Sequence, residues 1–176
     1  MSYLCWLDLE MTGLNPDVER IIEIATVVTD YELNIVAEGP SLVINQSDDL
    51  LDAMDDWNTE HHTKSGLVND VKRSLITEQM AEKETLDFLQ QYLSPGDSPL
   101  CGNTISQDRR FLLKYMPNLA NFFHYRNLDV TTLKLLVNMW RPDISIYGTK
   151  SSKHRALDDV HDSIAELKHY RDTFIK

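Results

Sequence analysis

The spacing of apolar residues predicts three strands in the first quarter of the chain. An apolar run leads from Tyr3 to Asp8, and Ile21–Thr29 is rich in β-branched side chains. Both patterns are typical of buried strands. Ile35–Ile44 predicts a third strand, which follows a turn over Asp30–Asn34. Because these strands are joined by short connections, we expect them to be neighbours in one sheet.

Helical spacing dominates the rest of the chain. The predicted helices are Glu78–Leu93, Ser106–Tyr115, Thr131–Trp140 and about Arg155–Tyr170. Two short apolar pieces between them, Pro99–Gly102 and Leu128–Val130, predict further strands, and Tyr147–Lys153 predicts a polar loop. Strands that alternate with helices in this way indicate an α/β fold, with a mixed β-sheet flanked by α-helices.

Length and charge limit the function classes. A chain of 176 residues suits a single domain over residues 1–176 with a sizeable core. The net charge is 17 − 28 = −11. This balance argues against a protein that coats long nucleic acid, including long duplexes, because such binding relies on neutralising phosphates. It leaves open a small anionic substrate at a local cationic or metal-bearing pocket.

The cysteines and the apolar runs predict a cytoplasmic protein. Cys5 and Cys101 lie in apolar stretches without a metal or disulfide spacing, so we expect reduced core cysteines. No apolar run is long enough to span a membrane. We also expect no targeting segment before the fold, since the first strand begins at about residue 3.

Asp8 and Glu10 end the first strand. If the strand continues to Glu10, both side chains point to one face, since residues two apart share a face of a strand. Each carboxylate would then raise the other's pKa unless a cation lay between them. A metal ion is the simplest such cation. Alternatively, the strand ends at Asp8 and the two acids are solvated turn residues.

Two further acids occupy apolar helical stripes. Asp108 shares its stripe with Phe111, Leu112 and Tyr115, although it could instead interact with the N-terminal dipole of its own helix. In the last helix, Asp159 is the aspartate nearest the apolar stripe. Asp158 and Asp162 fall on the opposite side, where they would form a solvated face. His154 precedes this helix by one residue and could be a cap, a surface residue or a catalytic group.

The four inward-facing acids together favour a metal site. Carboxylate oxygens suit Mg²⁺ or Mn²⁺. Two such ions about 3.5–4 Å apart can bind both the attacking and the leaving oxygen of a phosphoryl displacement.

These motifs resemble those of a known family. D-x-E at Asp8, N-x-x-x-x-D from Asn103 to Asp108 and H-x-A-x-x-D from His154 to Asp159 are similar to the three motifs of the DEDDh exonucleases, which have a ribonuclease-H-like fold. The similarity is greatest to the oligoribonuclease branch. It extends over nearly the whole chain and includes the stretches WLDLEMTGL, SGLV, CGNTISQDRRF, YRNLDVTT, HRALDD and YRDTFIK.

The resemblance implies a 3′–5′ exoribonuclease with a two-metal-ion mechanism. The metal ligands would be Asp8, Glu10, Asp108 and Asp159, and they would hold two divalent cations, Mg²⁺ or Mn²⁺. His154 would be the general base, because a neutral histidine near pH 7 is a suitable proton acceptor. The implied substrates are very short RNAs, chiefly 5′-phosphorylated dinucleotides, and the products are nucleoside 5′-monophosphates.

The resemblance also implies a set of substrate contacts. Leu14 would wedge against one base and Trp57 would stack on another, although Trp57 could also be an ordinary core aromatic. The implied ligands of the 5′-phosphate are His62, Thr104, Arg126 and Thr131, with Tyr125 supplied by the partner subunit of a homodimer. Some relatives have serine at the positions of Thr104 and Thr131. The choice of His62 over His61 rests on alignment to the family pattern, and Arg126 could be an exposed turn residue.

Two other functions are compatible with parts of the pattern. A DEDDh exonuclease that acts on longer RNA or single-stranded DNA would share the acids, but would not need a cap for the 5′ end. A catalytically silent protein that retained the fold would have lost one of the acids or the histidine, and the sequence retains them all.

Overall fold

The computed structural model describes residues 3–144 and 155–175. In this part of the chain, five strands form one mixed sheet in the order β3-β2-β1-β4-β5. The strands are β1 (Tyr3–Met11), β2 (Ile21–Asp30), β3 (Ile35–Val43), β4 (Leu100–Gly102) and β5 (Asn127–Asp129). The first three pair antiparallel, whereas β4 is parallel to β1 and β5 is parallel to β4.

Helices flank the sheet. They are α1 (Asp48–Asp52), α2 (Asp56–Lys64), α3 (Leu67–Arg73), α4 (Glu78–Leu89), α5 (Ser106–Tyr115), α6 (Pro117–Phe122), α7 (Val130–Trp140) and α8 (Ala156–Tyr170), and a short π-helical turn over Arg171–Ile175 follows α8. Both the ribonuclease-H-like topology and the α/β class predicted from the sequence are confirmed.

Two apolar clusters cover the two faces of β1. Cys5, Leu7 and Leu9 pack in a cluster with buried residues of α4, α5 and α6. Leu4 and Trp6 pack in a second cluster with buried residues of α7 and α8. This alternation follows from the two-residue period of a strand. The even-numbered residues of β1 therefore face α8.

The sequence located most of these elements to within a few residues. β1 extends three residues beyond Asp8, so the alternative in which the strand ends there is wrong. α4 ends at Leu89, four residues earlier than expected, and turns take over from Gln90. The polar loop expected over residues 147–153 lies outside the described residues.

Four short helices were not predicted, namely α1, α2, α3 and α6. They are nine residues or shorter, so each offers at most about two and a half turns of pattern. α2 contains the polar stretch DWNTEHHTK and buries only Asn58 and His62. A helix of this kind lacks the apolar stripe on which a prediction from periodicity depends.

Within the described residues, no helix is both long and apolar enough to cross a membrane. Cys5 and Cys101 are both free thiols in the core.

Candidate active site

Three of the four predicted acids meet at the end of β1. Ligand oxygens of Asp8, Glu10 and Asp159 all lie within 4.8 Å of one another, and all three side chains are partly exposed. Asp8 and Glu10 continue the row of β1 residues that faces α8. Asp159 lies in the first turn of α8, on the side of that helix that meets the sheet. The preference for Asp159 over its neighbours agrees with this geometry.

Asp108 supports the same end of β1 from the opposite side of the strand. It is 5% exposed, and its Oδ1 accepts a hydrogen bond of 2.9 Å from the backbone N–H of Leu9. Leu9 lies between Asp8 and Glu10, so Asp108 is linked to the residue that separates the two acids. Burial raises the pKa of Asp108 to about 7, although the hydrogen bond from Leu9 opposes this change.

The pKa of Glu10 is raised well above its ordinary value. Burial raises the pKa of Glu10 to about 9, and repulsion from Asp159, Glu23 and Asp108 adds to the effect. Arg155 lowers the pKa of Glu10, but does not compensate. A carboxyl group with a pKa this high keeps its proton at neutral pH, and a bound cation would favour its ionised form. Oxygen atoms at this spacing suit Mg²⁺ or Mn²⁺, so the residues present fit a divalent metal.

Glu23 is a fifth acid of this region, and its place there was not predicted from the sequence. It lies opposite Glu10 in the β1–β2 register and is 1% exposed. Its carboxylate accepts hydrogen bonds from Arg155 Nε and Nη2 at 2.9 and 2.7 Å, and from the N–H of Ala156 at 3.0 Å. The sequence does contain a signal for Glu23, namely a charged residue within the β-branched run IIEIATVVT. A strand that is buried on both faces does not normally contain a charged side chain.

Leu14 and Trp57 present exposed apolar surface. Leu14 is 72% exposed, and its backbone carbonyl accepts a hydrogen bond from the side chain of Gln107. Trp57 is 58% exposed on α2, so the alternative of a core aromatic is wrong. One face of its indole stacks on His61, with ring centroids 3.9 Å apart.

His62 has a different environment from the one expected. It is 2% exposed, and its Nε2–H donates to the carbonyl of Met11 at 2.9 Å. Its Nδ1 lies 3.9 Å from Glu10 Oε2. The hydrogen bond fixes the tautomer and turns the other ring nitrogen towards the acids. His62 therefore contacts the carboxylate cluster, and its assignment to the phosphate stays a prediction.

The structure brings together the hydroxyls of Thr104 and Thr131. Their Oγ1 atoms are 3.1 Å apart, and Thr131 also donates to Asn103 Oδ1 at 3.1 Å. The N–H groups of both threonines point at Asp129 Oδ1. Thr104 has a φ of 51°, which is unusual for a β-branched residue. A strained backbone that orients an exposed hydroxyl indicates a functional position.

Asn103 links this pair of hydroxyls to α8. Its side-chain amide donates to Ser163 Oγ at 2.8 Å and to Glu166 Oε2 at 3.0 Å. Glu166 is 2% exposed, accepts a hydrogen bond from the hydroxyl of Tyr170 and forms an ion pair with Lys134. These connections fix the two threonines relative to the helix that carries Asp159.

Tyr125 and Arg126 project from the protein just before β5. Tyr125 is 75% exposed, and the guanidinium of Arg126 lies 5.2 Å from the centre of its ring. Arg126 is also exposed, which agrees with the alternative that it is an exposed turn residue. It lines an open cavity of about 350 Å³ with His124 and Asn127. His154 lies outside the described residues, immediately before Arg155.

Comparison with known proteins identifies the family. The family model described as Exonuclease matches residues 5–167. An oligoribonuclease from Alcanivorax borkumensis is 61% identical over 172 residues, which cover 98% of this chain and 95% of the relative. Another oligoribonuclease, from Marinobacter nauticus, is 60% identical, with coverage of 98% and 96%.

The chain belongs to the oligoribonuclease family.

Membership makes the chain a 3′–5′ exoribonuclease, and the resemblance seen in its motifs is confirmed. Solved structures support the fold independently. Exonuclease I from Methylocaldum szegediense superimposes with a TM-score of 0.69 at 20% identity. A zinc-bound complex of Escherichia coli exonuclease I with single-stranded DNA gives 0.75 at 17% identity. This chain spans about two fifths of the length of those larger proteins (42% in each case).

Proposed function

We propose that the enzyme hydrolyses 5′-phosphorylated dinucleotides, and other very short RNAs less readily, to nucleoside 5′-monophosphates. The observation that carries the proposal is the convergence of Asp8, Glu10 and Asp159 within 4.8 Å. The exposed side chains of Leu14 and Trp57, with the hydroxyls of Thr104 and Thr131, would supply the other groups that a short nucleotide needs.

Asp8, Glu10, Asp108 and Asp159 would hold two divalent cations, with Mg²⁺ or Mn²⁺ as the physiological metal. When bound, such ions activate water and neutralise charge on the phosphate and the leaving oxygen. The raised pKa of Glu10 supports this role, because a bound cation would offset the repulsion that raises it. Asp108 also holds the backbone of β1, so it would orient the two acids on either side of Leu9.

His154 would accept the proton from the attacking water. Its place in the chain supports this role, since it lies two residues before Ala156, where the helix that carries Asp159 begins. An imidazole has a pKa near 6.5 when unperturbed, so it is mostly neutral and able to accept a proton at pH 7.

Leu14 and Trp57 would contact the bases. An exposed indole whose other face is supported by His61 offers a rigid stacking surface. The hydroxyls of Thr104 and Thr131, with Arg126 and His62, would bind the 5′-phosphate. Hydrogen bonds to a phosphate are charge-assisted, so such a cap would favour substrates whose 5′ end lies close to the scissile bond.

We also propose a domain organisation, an oligomeric state and a cellular location for the enzyme. We expect a single exonuclease domain over residues 1–176 and a homodimer in which the partner subunit contributes its Tyr125. The exposure of Tyr125 supports this, because a large aromatic at 75% exposure is available for contact. A cytoplasmic location is consistent with the two free cysteines.

The decisive experiment is turnover with Mg²⁺ on 5′-phosphorylated RNAs of graded length, from dinucleotides to about heptamers, beside DNAs of the same lengths. We expect kcat/KM to be highest for the RNA dinucleotide and to fall with length. A rate that rises with length, or that is equal for DNA, would favour an exonuclease of longer RNA or single-stranded DNA.

A further inference from the structure

Glu23, which is buried, and Arg155, which is partly exposed, form an ion pair beside the carboxylate cluster. Arg155 binds Glu23 with two guanidinium nitrogens, and a third nitrogen, Nη1, donates to Asp70 Oδ2 at 3.1 Å. Glu23 lies on β2, Asp70 lies on α3, and Arg155 is the N-cap residue of α8. One side chain thus joins three elements at the start of the helix that carries Asp159.

The backbone of Arg155 continues this connection to the site. Its carbonyl accepts the N–H of Asp159 at 3.0 Å, which is the first hydrogen bond of α8. The other carboxylate oxygen of Glu23 accepts the N–H of Ala156 at 3.0 Å. Glu23 therefore holds the first turn of α8 through both the side chain of Arg155 and the helix backbone, at the level of Glu10 on the neighbouring strand.

We propose that Arg155 is a positioning residue for catalysis, which sets Asp159 relative to Glu10. This inference rests on the proposed role of Asp159 as a metal ligand.

A contribution to stability alone is a weaker explanation of the pair. Burying an ion pair costs desolvation that its attraction often only offsets, so such pairs are poor sources of net stability. What a bidentate arginine adds is a fixed geometry, because its planar fork matches both oxygens of a carboxylate. A lysine retains the charge but not the fork.

Arg155→Lys tests the inference on the full-length enzyme. We expect kcat on a 5′-phosphorylated dinucleotide to fall at least about tenfold, because a displacement of about 1 Å at a catalytic group can cost about a hundredfold. The Mg²⁺ concentration for half-maximal rate should rise, since Asp159 shifts. KM should stay within about threefold, because Thr104, Thr131 and Arg126 lie on other elements.

Two further variants complete the test. Arg141 forms an equivalent bidentate pair with Asp143 on the surface, so Arg141→Lys is the matched control and should leave kcat unchanged. Asp70→Asn removes the negative charge of the outer, partly exposed partner of Arg155 and should lower kcat about two- to fivefold. It also provides a measurement if Arg155→Lys does not fold.

The outcomes separate this inference from the proposed function. If the parent enzyme does not hydrolyse the dinucleotide, the proposed function fails. If the parent is active but folded Arg155→Lys has an unchanged kcat and Mg²⁺ requirement, Arg155 is not a positioning residue. An unchanged kcat in Asp70→Asn, where Arg155→Lys does not fold, has the same meaning.

Discussion

Glu10 and Glu23 lie directly opposite each other on β1 and β2, and Arg155 forms its bidentate ion pair with Glu23. The two acids therefore have different chemistry despite their shared position in the sheet. Glu23 is buried with a permanent counter-charge, whereas Glu10 is left among other carboxylates with a pKa of about 9. The ion pair with Arg155 therefore occupies Glu23 and leaves Glu10 available to a metal ion.

Divalent cations should stabilise the protein more strongly at high pH than at low pH. Without a cation, folded Glu10 keeps its proton up to about pH 9, whereas the unfolded side chain loses it near its ordinary value of 4.5. The folded state thus binds more protons in this interval, and the stability associated with that proton is lost as the pH rises through 9. A bound cation removes this loss by favouring the ionised form.

Thermal melts with Mg²⁺ or with a chelator check this prediction. The increase in Tm on adding Mg²⁺ should be larger at about pH 8 than at about pH 5. In Glu10→Gln, the difference between the two pH values should shrink. An increase of equal size at both pH values would contradict a cation site built on Glu10.

Asp108→Asn should abolish turnover while retaining the fold. The amide oxygen of asparagine can still accept the hydrogen bond from Leu9, and the change removes an acid whose pKa is raised by burial. We therefore expect an unchanged or higher Tm and a loss of rate of at least about a hundredfold. Asp158→Asn, on the partly exposed first turn of α8, is the control and should stay active. An Asp108→Asn enzyme within tenfold of the parent would exclude Asp108 as a metal ligand.

His154→Ala should lower kcat without removing the metal site. Loss of a general base typically costs about 10²–10⁴-fold. Mn²⁺ binding, measured by calorimetry, should stay close to that of the parent, because the carboxylates are intact. If Mn²⁺ affinity were lost together with activity, His154 would be a ligand.

Trp57→Ala should raise KM for dinucleotides about fivefold or more, because base stacking contributes about 1–3 kcal/mol. Trp57→Phe should recover part of this loss, since a smaller ring still stacks. Trp140 is a matched control, because it is 65% exposed and lies at the end of α7. Steady-state kinetics in which Trp140→Ala and Trp57→Ala behave alike would contradict a stacking role.

Arg126→Ala should weaken the binding of substrates that carry a 5′-phosphate more than the binding of those that lack it. A charge-assisted hydrogen bond contributes about 1.5–3 kcal/mol, so KM should rise about 10- to 100-fold for a 5′-phosphorylated dinucleotide. The same dinucleotide without the phosphate should be affected little. Arg73→Ala, which removes an exposed arginine of α3, provides the control. Equal losses on both substrates would show that Arg126 does not bind the phosphate.

The sequence predicted the parts of the site that interrupt a pattern. Asp108 lies on an apolar helical stripe, Asp159 is the aspartate nearest to one, and Asp8 and Glu10 lie near the end of an apolar strand, so each was visible from its neighbours. Glu23 also interrupts an apolar run. Its partner Arg155 is 132 residues away, and the pairing depends on how α8 docks on the sheet. Local periodicity carries no information about such docking.

The environment of His62 was likewise beyond the sequence. α2 has little apolar periodicity, so neither the helix nor its buried side could be predicted. The contact of His62 with the carbonyl of Met11 arises from two elements 51 residues apart. The backbone conformation of Thr104 also has no signal in the sequence, because threonine rarely adopts a left-handed backbone.

That conformation sets two selective pressures against each other at one position. A left-handed threonine costs about 1–2 kcal/mol of folding free energy, which glycine would largely recover. A screen for thermostability alone should therefore enrich glycine at residue 104 and discard the hydroxyl. In a lineage that no longer used the site, this residue should be among the first to drift.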